Sequence, residues 1–270
     1  MTNKLFLHAD DFGRSKLISN NIINCIKVGS VNSISVIVGF DEKYFKKIIN
    51  MKNINIKLHL NLTEKNNFST LNKDYSFFQL LLMRFHPNFY SIKKNIKAEI
   101  EKQILYFKNT FNKKNIKLDS HEHIHVIPWI NKIISELKIK HKIIELRDPR
   151  ENFFYLNLAD FFKVNFLINI IKIFVIKFLY LFHDNQQKYQ SNPSFTGIIY
   201  TGFQSFNSIV KGINCNKIKN KSLEILIHPG YTNNSELKKF KKKYYKYYSS
   251  KNRVNEYRLV KSKKLQSILN

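Results

Sequence analysis

Leu7-His8-Ala9-Asp10-Asp11-Phe12-Gly13 closes the first apolar run of the chain, which extends from Lys4 to Ala9. Such a run suits a strand buried in a sheet, and this one delivers two acidic side chains to its C-terminal end. Lys16 to Val28 follows with apolar residues at helical spacing (Leu17, Ile18, Ile22, Ile23, Ile26) and stops at Gly29. Ser33 to Val38 is β-branched and ends at Gly39, and residues 41–49 read as a helix. Asn55 to Leu62 alternates as a strand, with Ile56, Leu58, Leu60 and Leu62 on one side and Lys57, His59 and Asn61 on the other. Residues 77–111 are predicted helical with a break near Pro87, and residues 129–137 form another helix. Lys142 to Leu146 and Glu224 to Ile227 read as further strands, the second ending at His228-Pro229-Gly230. The β-α-β-α alternation predicts an α/β fold, a single (β/α) barrel-like domain over residues 1–270 with mainly parallel strands. Polar groups gather at strand C-terminal ends, where barrels and open doubly wound sheets alike build their sites.

With 270 residues, 43% hydrophobic and 14% aromatic, the chain can build a sizeable core, so global disorder is excluded. Seven Gly and five Pro exclude collagen-like and low-complexity architectures. Two cysteines, Cys25 and Cys215, cannot make a disulfide framework or a cysteine-based zinc cluster. The net charge of +27 suits an anionic partner, either a membrane surface or nucleic acid, or else reflects compositional drift. The excess is nearly all Lys, whereas Arg dominates where phosphates are gripped bidentately, so nucleic acid is not an expected partner. The opening residues read as a strand rather than a secretion signal, so a cytoplasmic location is expected.

Residues 161–183 form an apolar, insertion-like segment, FFKVNFLINIIKIFVIKFLYLF up to Phe182, and residues 235–270 a basic helical region. Lys163, Asn165, Asn169, Lys172 and Lys177 interrupt the apolar segment. A lysine near a bilayer centre costs roughly 2.5–3.5 kcal/mol on the insertion scale, which argues against a span. On a helical wheel Val164, Leu167, Ile168, Ile171, Phe174, Val175, Phe178 and Phe182 share one face. That face either docks on the core or lies in a membrane surface.

Three places carry candidate ligands: Asp10 and Asp11, then His59, then His121-Glu122-His123-Ile124-His125 beside Asp119. A carboxylate with imidazoles suits Zn, Fe, Mn or, less comfortably, Mg. Adjacent carboxylates at a strand terminus can both reach one pocket, one holding metal and the other free as a base. His121 and His125 share a helical face, while an extended chain would align all three histidines.

Five stretches resemble, in order, the YdjC/ChbG/HpnK-like carbohydrate deacetylases: Leu7 to Gly13, L-H-L-N-L-T (Leu58 to Thr63), L-D-S-H-E-H-I-H-V-I-P (Leu118 to Pro128), L-R-D-P-R-E (Leu146 to Glu151) and I-H-P-G-Y (Ile227 to Tyr231). Arg253-x-x-Glu256-x-x-Leu259 is similar to the family's final helix. The resemblance implies a barrel-like fold and metal-dependent removal of N-acetyl groups from amino sugars. It implies Asp11, His59 and His121 as metal ligands, Asp10 as catalytic base, His228 as acid, and Arg147 as a group that orients Asp10 or binds substrate. His123 and His125 would contact substrate or stand behind the ligands. The implied cofactor is a divalent metal, Mg2+ by resemblance, with Zn2+ or another transition ion as the alternative. The expected partners are an N-acetylated oligosaccharide or lipid-linked glycan, a peripheral membrane contact and, still open, a second copy in a homodimer. Another metal-dependent amide hydrolase, or a non-catalytic glycan-binding protein at a membrane, are the competing readings.

Overall fold

A computed structural model of the chain describes residues 4–64, 69–71, 74–183, 189–238 and 240–269. Seven strands form one sheet: β1 (Leu5–Phe12), β2 (Ser33–Val36), β3 (Asn55–Leu60), β4 (Ile116–Ser120), β5 (Ile143–Leu146), β6 (Ser194–Thr196) and β7 (Leu223–Ile227). Every pairing is parallel, in the order β5-β4-β3-β2-β1-β7-β6. Helices α1 (Lys16–Lys27), α2 (Phe45–Ile49), α3 (Phe77–Leu82), α4 (Phe89–Phe111), α5 (Pro128–His141), α6 (Val164–Tyr180) and α7 (Phe206–Asn216) connect the strands. Four more, α8 (Asn234–Leu237), α9 (Tyr245–Tyr248), α10 (Lys251–Val260) and α11 (Lys263–Leu269), follow β7.

The α/β class with parallel strands is as the alternation predicts, and ion pairs reveal how strongly the sheet curls. In a flat sheet β5 and β7 would stand about 24 Å apart at about 4.8 Å per strand. Yet Arg147, directly after β5, places Nε 2.5 Å from Oε1 of Glu224 on β7. Lys57 on β3 likewise reaches both Glu145 on β5 and Glu224. A single parallel bridge, Glu145 to Ser191, spans the interval between β5 and the segment leading into β6. The sheet is an incomplete barrel whose ring order is the chain order.

This curling changes the expected alternation of β3. Lys57, His59 and Asn61 are as buried as the leucines between them, because their side faces the barrel interior rather than water. Residues 41–49 open with a 3-10 turn (Glu42–Tyr44) before α2, and the long helical stretch divides at Pro87 into α3 and α4. β6 has only three residues, and its pattern carries no sequence signal of a strand.

The apolar segment forms α6, and of the two placements left open for its stronger face the structure does not show docking on the core. Phe166, Asn169, Ile173, Ile176 and Leu179 face the protein, while Ile171, Phe174 and Phe178 are 61%, 66% and 58% exposed. Asn169 fixes this choice by donating through Nδ2 to the carbonyls of Ile199 (3.1 Å) and Thr201 (3.0 Å). No helix among the described residues is long and apolar enough to cross a membrane.

Two buried charges give tests of this frame. Lys57→Met removes the cation between Glu145 and Glu224. Breaking a buried pair typically costs about 3–5 kcal/mol. Lys117 and Arg147 still contact the two carboxylates, so a loss near the lower end is expected as a reduced urea midpoint. An unchanged midpoint would show that Lys57 does not hold the strands together.

Glu256 on α10 is buried and accepts the His228 N–H at 2.8 Å, and burial pushes its carboxyl from 4.5 up to about 7. Between those values the folded state binds more protons than the unfolded one, so stability falls as pH rises through that window. Glu256→Gln keeps the acceptor and removes the charge. It should stabilise the fold at pH 8 by up to about 3 kcal/mol at 1.36 kcal/mol per pKa unit, with no gain below pH about 4.5. Destabilisation at pH 8 would instead make Glu256 an indispensable ion partner of Arg253.

Candidate active site

The site begins at the end of β1. His8 and Asp10 point to the same face by strand periodicity, and a register irregularity falls between Ala9 and Phe12. Asp11 adopts φ 71°, which turns its side chain toward the same end of the barrel as its neighbour's. Gly13 completes the turn at φ 91°, where a Cβ would lie 2.7 Å from the carbonyl oxygen of Ile37. The strained corner makes two successive residues converge, as the strand-terminus argument anticipates.

Asp11 Oδ1 lies 3.8 Å from His59 Nε2 and 3.4 Å from His121 Nδ1. Candidate ligand atoms of these three residues all lie within 4.8 Å of one another. Bonds of about 2.0–2.2 Å to one cation require separations near these values. Asp11 Oδ1 is buried without a hydrogen-bond partner, as befits a group whose partner is an ion. His59 presents Nε2 to Asp11 and has Nδ1 2.6 Å from Oδ1 of Asp119, the carboxylate–imidazole arrangement that orients metal-binding histidines. The three residues therefore fit a divalent metal.

His8, Asp10 and Asp119 form a second close group, but a cation already fills it. Arg147 donates to both oxygens of Asp10 (2.9 and 2.7 Å) and lies 2.7 Å from Asp119 Oδ2. Burial opposes a charge on His8, yet Glu224, Asp10 and Asp119 together raise its pKa above the ordinary imidazole value. Burial would raise the Asp10 carboxyl as well, but Arg147 prevails and holds it well below the usual range.

Asp10, Asp11, His59, His121, His123 and His228 line one cavity of about 230 Å3, which also includes Asn169 and Lys172 of α6. Burial and the Arg253 charge push His228 down to about 3, and burial with the Arg147 charge does the same to His123. Both rings are therefore neutral, and Nδ1 of each lacks a hydrogen-bond partner.

The histidine triplet is neither a regular α-helix nor extended. It occupies 3-10 turns in which Glu122 and His123 take φ of 54° and 55°. This kink sends His121 to Asp11 and His123 to the cavity wall. The expectation of a substrate contact does not carry over to His125, which is fully enclosed. Its Nδ1 lies 2.5 Å from Ser120 Oγ and its Nε2 3.0 Å from the Arg147 carbonyl, so both nitrogens are engaged behind the wall.

The C-terminal helices supply residues to which sequence reasoning gave no role. Tyr248 donates to Asp11 Oδ2 at 3.2 Å, and Arg253 Nη2 lies 3.5 Å from the same oxygen. Arg253 also donates to the Gly230 carbonyl at 2.7 Å and stacks 3.9 Å over Tyr247. The Arg253-x-x-Glu256 spacing and the tyrosines at 244–248 were the available signals, hidden in a run that reads mainly as basic.

Comparison with known proteins bears on the family and the fold. A family model described as "YdjC-like protein" matches residues 4–270. A carbohydrate deacetylase from Xenopus laevis is 27% identical over 262 residues, covering 86% of this chain and 83% of the relative. One from Danio rerio is 25% identical over 157 residues, covering 55% of this chain and 50% of its own length. A crystal structure from Enterococcus faecalis V583, of a protein provisionally described as cleaving cellobiose-phosphate, shares the fold at a TM-score of 0.64 and 17% identity. That match covers 99% of this chain and 94% of the other. With nearly its whole length matched by the family model, the chain belongs to the YdjC-like protein family.

Proposed function

We propose that the protein is a metal-dependent hydrolase that removes the acetyl group from an N-acetylated amino sugar. The observation that carries this reading is the convergence of Asp11, His59 and His121 beside an Arg147-bound Asp10 in one cavity. Family membership and relatives named carbohydrate deacetylase support the substrate class.

In this reading Asp11, His59 and His121 hold the metal. A divalent cation there polarises the amide carbonyl and lowers the pKa of water. Mg2+ is the ion that the resemblance implies, while two imidazoles and one carboxylate suit Zn2+ or another transition ion better. Asp10 accepts the proton of the attacking water. Its bidentate pairing with Arg147 keeps it ionised and fixes its direction, although a carboxylate so strongly stabilised is a weak base by itself. His228 is the proton donor to the leaving amine. A ring that is neutral at rest must first receive a proton, and the reaction releases one from water for each amine that leaves. His123 contacts the sugar, and Arg147 acts through Asp10. The cavity is small against the 300–1,000 Å3 of sites that engulf a drug-sized ligand, so it takes one sugar residue and leaves the remaining glycan outside.

Two substitutions separate the roles. Asp11→Asn should cut bound divalent metal, measured by elemental analysis after dialysis, by more than tenfold while the thermal midpoint of the metal-free protein holds. Metal retained at wild-type stoichiometry would remove Asp11 from the ligand set. Asp10→Asn should lower acetate release from N-acetylated oligosaccharides by about 10²- to 10⁴-fold with metal content unchanged. Loss of metal together with activity would make Asp10 a ligand instead of the base.

A further inference from the structure

The outward face of α6 is the largest feature that the site chemistry leaves unused. Phe162 is 89% exposed, and beyond it Ile171, Phe174, Phe178 and Phe182 present large apolar groups to the outside. The same surface continues past Phe182 to Phe85 and Tyr90, which line one cavity with it. Isolated exposed apolar residues are ordinary, but a contiguous stripe of this length marks a contact surface.

Charge indicates what covers it. Residues 161–183 contain three lysines and no carboxylate, and one of the three, Lys163, pairs with Asp160 just before them. At 100° per residue Lys177 falls on one flank of the exposed stripe, where its long side chain can lay its stem on apolar surface and keep its ammonium group at the border, whereas Lys172 turns toward Asn169 and the cavity. Arg84, Lys93 and Lys132 edge the adjoining cavity against one carboxylate, Glu136, which pairs with Lys93. A second copy of a chain with net charge +27 would meet like charge around this face. An anionic lipid surface supplies both an apolar interior for the phenylalanines and negative headgroups for the lysines.

We propose that this face of α6 docks on an anionic bilayer and brings the cavity to an N-acetyl sugar carried on a membrane lipid. The second half rests on the deacetylase reading above. Asn169 and Lys172 line the catalytic cavity, while Ile168 and Ile171 on the same helix face outward. The cavity thus lies within one helix diameter, about 10 Å, of the proposed lipid surface. A sugar attached to a headgroup reaches it without its lipid leaving the membrane.

Flotation tests the docking with vesicles of phosphatidylcholine containing 30% phosphatidylglycerol, against phosphatidylcholine alone. The wild-type protein should float with the anionic vesicles at low salt and detach at high salt. Phe174→Ser with Phe178→Ser should weaken partitioning at least tenfold with an unchanged thermal midpoint, since both side chains are exposed. Lys177→Glu should weaken it at least about fivefold, the worth of one basic residue at a charged surface. Wild type remaining at the bottom, or the phenylalanine variant floating equally well, overturns the docking. A wild-type dimer that this variant converts to monomer makes the face a self-interface and also overturns it.

Acetate release separates the two halves. A glycolipid bearing N-acetylglucosamine in those vesicles should be deacetylated at least tenfold faster by wild type than by the phenylalanine variant. Both should act equally on a soluble chitooligosaccharide. Equal rates on the glycolipid overturn the membrane-substrate half while the deacetylase reading stands. Flotation without acetate release from either substrate refutes the deacetylase reading and leaves the docking intact.

Discussion

Arg147 is a fully buried cation gripped by carboxylates from three strands, and the barrel closes around it. Its guanidinium takes both oxygens of Asp10, one of Asp119 and one of Glu224. Burying such a charge costs several kcal/mol unless it is paired and hydrogen-bonded, and only a curled sheet brings β1, β4 and β7 close enough to do so. One guanidinium cannot balance three carboxylates. Lys57 takes the other oxygen of Glu224 together with Glu145, and the His8 ring sits between Asp10 and Asp119. An apolar interior would be cheaper to fold. Here the ionic filling gives the strands one register and gives the site fixed, oppositely charged walls.

That network also explains how two adjacent carboxylates acquire different chemistry. Asp10 faces inward along β1, and its oxygens are occupied by Arg147, Ser35 and His8. Asp11 is turned by its left-handed backbone toward His59 and His121, and Oδ1 remains without a hydrogen bond. The first is neutralised by a cation of the protein, and the second has room for a cation from solution. Asp119 serves both sides, holding Arg147 through Oδ2 and the His59 ring through Oδ1. A change at Asp119 would therefore disturb ligand orientation and the proposed base together.

The parallel α/β class and the convergence of three separated motifs were legible in sequence, because strand ends follow from apolar runs and the motifs stand at those ends. That the three places meet needed only that the ends share one side of the sheet, while the choice of Asp11, His59 and His121 within them came from the family resemblance. What was hidden depends on closure. Lys57 looks like a solvent residue on an alternating strand until the barrel places water out of its reach. The His121–His125 turn is decided by two left-handed residues that no periodicity announces, and so His125 points away from the cavity. The orientation of α6 hangs on Asn169, whose side chain satisfies two loop carbonyls. A wheel weighted by hydrophobicity has no means to value that capture, and so it left open which way its apolar face turns.

The two peculiarities of composition, the surplus of lysine and the surplus of apolar side chains, thus have separate locations. Within the barrel the ionic groups are matched at hydrogen-bond distance, and the many surface lysines beyond it contribute little to the chemistry. At physiological ionic strength the screening length is about 8 Å, so distant lysines are largely screened from the cavity. Their effect is on what approaches the protein. Because charged residues occupy the barrel interior, much of the large apolar content packs outside the sheet. The second buried cluster, with Phe154, Phe166, Phe195 and Tyr200, fills the space beneath α6. That cluster takes its buried residues from one side of the helix, Phe166, Ile173, Ile176 and Leu179, with Ile170, Val175 and Tyr180 packed at its edge, while Ile171, Phe174 and Phe178 stay mostly exposed. The exposed stripe therefore adds little to the buried core, and its place beside the mouth of the cavity suits a role outside the fold.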